Sequence, residues 1–461
     1  MKTKEKNILI SILLFSIFLE GLDAFSLFEV PFPWFGVSLL LLIIPAYYFF
    51  NLDLNSSDFG SLKYWIIYVV IVTIVKAFSF DLEMPQYATS TFSQFVSLRV
   101  IKIISFFIVV WVIQLLASYF TKDQIIESIA YIGLIISLFS LYSYFSYFLD
   151  LPDFNRSRAG SGGWTQPIQR ACSILRNYGT FREPSFLAVW TVPFIPLNFY
   201  LARKSNKWYF LSIFPIFSLV LTRSLTGILS VLIACLVISI LYLIKNKKVE
   251  LNFIFPVFMI VLISLFANNI SYKFPPLDPS MCPPNSADKC DCSIYDDNLD
   301  EAKNSENIAE SIFSRAALIV DGGIDGFGNF SYLKDHLLNE NLKIFGDGLG
   351  SSNIIYSYEF EKLTAQVKSG ETVYRNPGQV VSFNNLYANI YFSSGLIGLI
   401  WFLFILFKFT YYLFSNSEII NYYLSFQLFS ILLMFFFQAE EVSTLLGVSI
   451  GLIILEGYKN E

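Results

Sequence analysis

The chain has 461 residues, of which 55% are hydrophobic and 18% aromatic, while only 15% are charged and the formal net charge is −5. A soluble protein of this length has too little interior to hide so much apolar surface. The composition therefore excludes a soluble globular protein and points to a chain that is largely embedded in a membrane.

Apolar runs recur from one end of the chain to the other, most of them about 16 to 25 residues long, which suits helices that cross a bilayer. Twelve runs predict twelve transmembrane helices, and because the sixth, seventh and twelfth are short, the count extends from eleven to thirteen. The predicted fold class is all-α, a polytopic integral membrane protein. The runs are 8–28, 33–50, 64–80, 97–120, 125–149, 185–201, 208–221, 225–244, 251–270, 386–407, 419–437 and 443–455.

Polar segments between the runs divide the chain into five parts. Five N-terminal helices occupy 1–149, an arginine-rich loop 150–184, four helices 185–270, a large loop 271–384 and three helices 385–461. Positive residues cluster before the first helix, after the sixth, after the eighth and at the C-terminus, all on one side if the count is twelve. The positive-inside rule makes that side cytoplasmic, so both loops are predicted to face outward.

The arginine-rich loop 150–184 holds five of the chain's ten arginines and no lysine. Positive charge on the outer side runs against the usual bias of membrane proteins, and guanidinium groups bind phosphate oxygens through forked hydrogen bonds. We therefore predict a site for a phosphate-bearing ligand at the outer leaflet; a solvated basic loop that binds lipid headgroups is the alternative. The five residues are Arg156, Arg158, Arg170, Arg176 and Arg182.

The end of this loop resembles the start of a helix. Pro184 suits the first helical turn, whose exposed N–H groups favour an anion, so Arg176 and Arg182 are predicted to join the helix dipole in holding diphosphate. Glu183 is the candidate general base, because a carboxylate beside a membrane cavity can accept a proton; alternatively it only neutralises Arg182. Arg223, in the short turn between the seventh and eighth helices, either reaches the same cavity or anchors the turn at the interface.

Two further cations, Arg99 and Lys102, lie near the outer end of the fourth predicted helix. Charged side chains in a bilayer are costly unless they extend to the interface or line a cavity. Both outcomes are open from the sequence.

Glycines and asparagines mark the second half of the chain. The run from Gly346 to Gly350, with glycine at every second position, predicts a sharp turn that brings the backbone close to another element. Asn384 and Asn385 begin the tenth helix, in which Gly395 and Gly398 are predicted to share one face for close helix packing.

Four of the five cysteines fall in the two outer loops: Cys172, Cys282, Cys290 and Cys292. Four cysteines in an oxidising compartment allow three pairings. A bridge between Cys290 and Cys292 would close a tight, strained ring, so Cys282 is predicted to pair with one of these two and Cys172 with the other. A zinc site is the alternative, although the spacing suits it poorly. Cys235, within the eighth helix, is predicted to be a small core residue.

Taken together, these features resemble the O-antigen polymerase and ligase superfamily, bacterial membrane enzymes that join lipid-linked glycans. The resemblance covers nearly the whole chain: about twelve helices with both ends inside, a medium loop before the sixth helix and a large loop before the tenth. It implies a GT-C-like glycosyltransferase fold. The matching motifs are Arg176-x-x-Gly179-x-Phe181-x-Glu183-Pro184, Ser224-x-Thr226-Gly227, Arg315-x10-Gly326 followed by the turn Gly346–Gly350, and Asn384-Asn385 with Gly395.

The start of the tenth helix favours the polymerase branch of this superfamily. Ligases typically carry a histidine with a glycine eleven residues later; here Asn384 stands in place of the histidine, and Gly395 keeps the spacing. An amide cannot act as a base near neutral pH, whereas imidazole can. The departure argues against a ligase and leaves Glu183 as the candidate base.

The resemblance implies transfer of a glycan from undecaprenyl diphosphate to the terminal sugar of a second undecaprenyl-diphosphate-linked repeat unit. It implies no metal, nucleotide or other cofactor. The residues implied are Arg176, Arg182, Arg223 and Arg315 for binding diphosphate, Arg176 and Arg315 also for catalysis beside Glu183, and Asn384 and Asn385 for the acceptor side and helix start.

The implied location is the bacterial inner membrane, with several spans and an active site that faces the periplasm. Expected partners are the undecaprenyl-diphosphate-linked oligosaccharide, membrane lipids and a chain-length regulator, with no nucleic acid. The alternatives are an O-antigen ligase acting on lipid A core or protein, a flippase or exporter of lipid-linked glycan, and an assembly scaffold.

Overall fold

The computed structural model describes residues 3–43, 60–86, 88, 90–158, 174–270, 342–366, 380, 382–383, 385–415, 418–436 and 442–457. Within these residues the chain forms α-helices and one short β-hairpin. The elements are α1 (Thr3–Glu20), β1 (Ser26–Leu27), β2 (Val30–Pro31), α2 (Phe32–Leu41), α3 (Gly60–Phe78), α4 (Phe92–Ala117), α5 (Lys122–Leu149), α6 (Pro184–Thr191), α7 (Phe194–Ala202), α8 (Lys207–Leu211), α9 (Ile213–Leu221), α10 (Leu225–Asn246), α11 (Leu251–Asn268), α12 (Ser351–Gln366), α13 (Leu386–Ser415), α14 (Ile419–Met434) and α15 (Thr444–Gly457).

Seven of the described helical segments are long and apolar enough to cross a membrane, and five shorter apolar segments match the remaining predicted runs. The prediction of a helical architecture is thereby confirmed, and the length and composition of these helices are compatible with the predicted membrane protein. The count of twelve spans and the GT-C-like fold stay predictions. The seven segments are Ser61–Phe78, Phe92–Ala117, Lys122–Leu149, Pro184–Ala202, Leu225–Asn246, Leu251–Asn268 and Leu386–Ser415.

The starts of two long helices follow from their local sequences. The side chains of Thr91, before α4, and Thr121, before α5, each accept a hydrogen bond from the backbone N–H three residues later. The glutamine side chain at that position in turn accepts a hydrogen bond from the backbone N–H of the threonine. Such reciprocal capping satisfies two N–H groups that a helix start otherwise leaves without partners. It fixes where α4 and α5 begin.

Helix α5 separates two clusters of charge. At its first turns, Lys204 pairs with Asp123, and Lys207 Nζ lies 3.1 Å from Glu127 Oε1. Its last residue, Leu149, leads directly into the arginine-rich loop. A helix of 28 residues spans about 42 Å at 1.5 Å per residue. The connection between α7 and α8, which carries Lys204 and Lys207, and the arginine-rich loop therefore lie at opposite ends of α5. The membrane face that each end occupies stays a prediction.

The glycine-rich turn before α12 packs against a break in α13. Asp347 N donates to Phe392 O at 2.8 Å, and Gly348 N donates to Ser393 O at 2.9 Å. A Cβ on Gly346 would lie 2.2 Å from the carbonyl carbon of Ser393. The predicted sharp turn with a close backbone approach is confirmed.

The prediction that Gly395 and Gly398 share a helix face is wrong at Gly395. Gly395 has φ 76° and ψ −177°, which interrupts α13, and a Cβ there would lie 2.2 Å from Ile344 O. Only glycine tolerates this backbone conformation together with so close a neighbour. Gly398 remains in the helix, and its carbonyl accepts a hydrogen bond from Trp65 Nε1 of α3 at 2.9 Å.

Candidate active site

A cavity of about 500 Å³ opens at the end of the bundle where the arginine-rich loop lies. Its walls come from α1, α2, α4, α6, α14, α15 and the loop, and they include apolar and aromatic side chains such as Trp34, Phe186 and Trp190. Four cations and two carboxylates also line it, so the described lining has a net charge of +2. These charged residues are Arg99, Lys102, Arg158, Arg182, Glu20 and Asp23.

Asp23 holds two of the arginines in place. Arg182 Nε lies 2.9 Å from Asp23 Oδ2, and Arg158 Nη1 pairs with Asp23 Oδ1 and also donates to the Asp23 carbonyl at 3.0 Å. Burial lowers the pKa of Arg158, as does the neighbouring Arg182, while Asp23 opposes the shift. Arginine nevertheless stays protonated near neutral pH, so the loop presents two charged guanidinium groups around one carboxylate.

The short connection after α1 is joined to the loop by backbone contacts. Ala24 N donates to Thr180 O at 2.9 Å, and Arg158 N donates to Ala24 O at 3.1 Å. Ser157 Oγ accepts a hydrogen bond from Ser26 N at 2.8 Å, at the first strand of the hairpin. These bonds position Arg158 beside Asp23, although the two residues are far apart in sequence.

Arg99 and Lys102 line the same cavity from α4. They are three residues apart, and this spacing places them on one face of a helix. The Lys102 ammonium lies 5.4 Å from the centre of the Trp34 ring, and the Arg99 guanidinium lies 4.7 Å from that of Phe95. The sequence allowed these two side chains either to extend to the membrane interface or to line a cavity, and in the structure they line a cavity.

Arg156 is bound within the protein and is not among the described residues that line the cavity. Its guanidinium donates to Gly179 O at 2.7 Å and to Ser143 Oγ at 2.9 Å, and it pairs with Asp153 Oδ2 at 2.8 Å. It also stacks on the Tyr178 ring at 4.3 Å. Gly179 has φ 49°, and a Cβ there would lie 2.0 Å from Ser140 Oγ. Arg156 thus fastens the loop to α5.

Replacing Arg156 by alanine is expected to lower the free energy of unfolding by about 3 kcal/mol, because it leaves the half-buried Asp153 without its counter-ion. Burial raises the pKa of Asp153, but the bonds and charge of Arg156 outweigh this and hold the pKa below its usual range. Stability from this pair is therefore present above the unfolded pKa and lost as pH falls through the folded one. Thermal unfolding of the detergent-solubilised protein across pH measures both effects; equal acid sensitivity in the wild type and Arg156→Ala would contradict the assignment.

Arg176 and Arg223 are not among the described residues that line the cavity, which corrects the predicted place of Arg176 beside Arg182 and the first of the two outcomes left open for Arg223. Arg176 Nε donates to Thr222 O at 2.9 Å, because Asn177 N is bonded to Leu221 O at 2.8 Å and fixes this segment to the end of α9. Arg223 is 2% exposed, with φ 50°. The chain turns at Gly179, so Arg176 and Arg182 point to different parts of the structure.

Glu183 and Asn385 occupy helix starts outside the described cavity lining. Glu183 precedes α6, and its Oε2 accepts a hydrogen bond from Ser185 Oγ at 3.2 Å. Asn385 Oδ1 accepts from Ala388 N at 2.9 Å, and its Nδ2 donates to Phe436 O at 2.7 Å. This geometry does not support Glu183 as the base, and it gives Asn385 the role of a helix cap.

Several predicted residues lie outside the described residues. They are Arg170, Arg315, Asn384, Cys172, Cys282, Cys290 and Cys292. Cys235 is buried in α10, as predicted for a core residue.

The two carboxylates of the cavity were not among the predicted site residues. Glu20 and Asp23 lie inside the first apolar run, 8–28, which predicts a transmembrane helix. Acidic residues in an apolar span are costly and usually face a cavity or a counter-ion. This signal was present in the sequence and would have indicated a polar site at the end of α1.

No protein-family model matches this chain, and no curated protein is significantly similar to it.

Proposed function

We propose that this protein is a surface-polysaccharide polymerase that uses undecaprenyl-diphosphate-linked repeat units. The observation that carries the proposal is the convergence of four cations from α4 and the arginine-rich loop on one cavity with apolar and aromatic walls. Fixed cations suit the diphosphate, and the apolar walls suit the lipid to which it is attached.

In the proposed reaction, a hydroxyl oxygen on the terminal sugar of the acceptor attacks the anomeric carbon of the donor. The bond between that carbon and the diphosphate oxygen breaks, and its electron pair leaves with the lipid diphosphate. Negative charge grows on the diphosphate in the transition state, so guanidinium and ammonium groups that are already in place lower the barrier. Arg158 and Arg182 are preorganised by Asp23, and Arg99 and Lys102 by α4.

The proposed setting is the bacterial inner membrane, with the cavity open to the periplasm and the Lys204 and Lys207 end of α5 in the cytoplasm. The positive-inside rule supports this orientation. The proposed partners are the lipid-linked oligosaccharide, the surrounding lipids and a chain-length regulator.

Reconstituting the purified protein in lipid vesicles with an undecaprenyl-diphosphate-linked repeat unit tests the proposal. We expect a ladder of lipid-linked products that differ by one repeat, resolved by gel electrophoresis and mass spectrometry. Heat-inactivated protein is the control. Transfer to added lipid A core, without a ladder, would show a ligase instead. Movement of labelled substrate across the vesicle membrane without any new glycosidic bond would show a flippase.

A further inference from the structure

Glu20, the last residue of α1, lines the cavity beside the four cations. Its carboxylate faces Lys102 from α4, Thr444 from α15 and, on its own segment, Asp23. Its Oε2 atom is enclosed, and no donor within the described part of the chain hydrogen bonds to it. A polar atom in this state usually marks a functional role or a bound molecule.

The two carboxylates of the cavity differ in what already binds them. Both oxygens of Asp23 are held by guanidinium groups, one by Arg158 and the other by Arg182. Glu20, in contrast, forms no ion pair within 4.0 Å among the described residues, and the hydrogen bonds to its carboxylate come from Thr444. Glu20 therefore retains an oxygen with no donor among the described residues, whereas a proton on Asp23 would have to displace or weaken its pairing with an arginine.

The proposed reaction requires such an acceptor, because the attacking hydroxyl must lose its proton as its oxygen bonds to carbon. The cations of the cavity are already protonated, and the hydroxyl groups of Ser16, Ser105 and Thr444 are far weaker bases than a carboxylate. Glu183 is not among the described residues of the lining. Within that lining, Glu20 is the remaining group able to take the proton.

We propose that Glu20 is the general base of the transfer, an inference that rests on the proposed function. Its carboxylate takes the proton of the acceptor hydroxyl while the hydroxyl oxygen bonds to the anomeric carbon. The bond from that carbon to the diphosphate breaks, and the electron pair departs on the lipid diphosphate, which the cations hold. Glu20 then releases the proton to water, and Lys102 stabilises the restored carboxylate.

Glu20→Gln keeps the shape of the side chain and removes the base. We expect turnover to fall by about 10² to 10⁴-fold, the usual contribution of a positioned base, while the affinity for undecaprenyl diphosphate changes by less than about threefold. Ladder formation measures turnover, and a thermal shift with undecaprenyl diphosphate alone measures binding. Glu20→Asp should recover part of the turnover, because it restores a carboxylate at a shorter reach.

A pH profile distinguishes a base from a merely structural carboxylate. The wild-type rate should fall as acid protonates the base, and this limb should be missing from the residual rate of Glu20→Gln. Lys102, Thr444 and Asp23 face Glu20, and the two loop arginines line the same cavity; the substitution leaves all of them in place. Glu127→Gln is the matched control, since Glu127 is an exposed carboxylate paired with Lys207 at the far end of α5; full turnover is expected.

The outcomes separate this inference from the proposed function. Two results would overturn the role of Glu20 and leave the proposed function intact. One is a rate of ladder formation by Glu20→Gln within about twofold of the wild-type rate; the other is a Glu20→Gln variant that loses binding together with turnover. The same holds if Glu183→Gln stops turnover and Glu20→Gln does not. A wild-type protein that builds no ladder from the repeat unit overturns the proposed function, and the role of Glu20 with it.

Discussion

Arg158→Ala is expected to slow polymerisation by about 100-fold or more, the usual effect of removing one preorganised group that stabilises growing negative charge. The Arg158 guanidinium lines the cavity and is fixed from two directions by Asp23, through its carboxylate and its carbonyl. Its position is therefore set before substrate binds. The initial rate of ladder formation in vesicles measures the effect. Arg158→Lys should retain more activity than alanine but less than the wild type, because lysine keeps the charge without the forked geometry.

The control for Arg158 is an arginine at the other end of the bundle. Arg203 Nε lies 3.5 Å from Glu250 Oε1, between α7 and α11, and Arg203→Ala should leave the rate close to that of the wild type. Arg176→Ala discriminates between two arrangements of the site. If Arg176 holds diphosphate, as predicted from the sequence, Arg176→Ala should reduce the polymerisation rate as much as Arg158→Ala does. If the observed cavity is the site, Arg176→Ala should reduce the rate less. A normal ladder from Arg158→Ala would contradict the cavity as the diphosphate site.

The membrane architecture was predictable because burial in lipid requires long, uniformly apolar segments with internal hydrogen bonding. Each of the twelve apolar runs overlaps at least one described helix. The glycine turn at 346–350 was predictable for a similar reason, since repeated glycine allows a close approach of backbones that other residues prevent. In both cases the local sequence pattern is compatible with few backbone structures, so it can be interpreted without knowledge of the tertiary fold.

Helix α12, Ser351–Gln366, lies within a segment predicted as part of the large outer loop. Its sequence mixes apolar, aromatic and charged residues and does not form a long apolar run. Hydropathy identifies segments that must cross a bilayer, but it does not identify a helix that packs at the end of a bundle. The contacts of α12 with α13 and α3 follow from tertiary structure.

The binding partner of each arginine in the loop could not be predicted from the sequence. Arg156, Arg158, Arg176 and Arg182 have the same chemistry and lie in one loop, yet one fastens the loop, one binds the end of α9, and two meet Asp23 at the cavity. Which acceptor each guanidinium reaches depends on how the loop folds around Gly179. The composition of the loop indicates a cationic surface, but the tertiary structure determines which arginines line the cavity.

Asp23→Ala is expected to lower the free energy of unfolding by about 3 to 5 kcal/mol, because it leaves two partly buried cations without their shared counter-ion. The side chains of Arg158 and Arg182 are only 19% and 31% exposed, so water compensates their charge poorly. If this cavity binds diphosphate, an added anion should take the place of the lost carboxylate. Inorganic diphosphate should therefore stabilise Asp23→Ala more than it stabilises the wild type. At 100 times its dissociation constant, diphosphate would stabilise the variant by about 2.7 kcal/mol.

Thermal unfolding with and without inorganic diphosphate, at constant ionic strength, measures this rescue. Asp123→Ala is the matched control, because Asp123 also pairs with a cation, Lys204, but both side chains are nearly half exposed at the other end of α5. Its unfolding temperature should respond to diphosphate no more than that of the wild type. A stable Asp23→Ala protein, or one that diphosphate stabilises no more than the Asp123→Ala control, would mean that the two arginines do not form an anion site. A selective rescue would show that an anion can replace the carboxylate at the point where Arg158 and Arg182 converge, since only a ligand held by those guanidinium groups can compensate the charge that the substitution exposes.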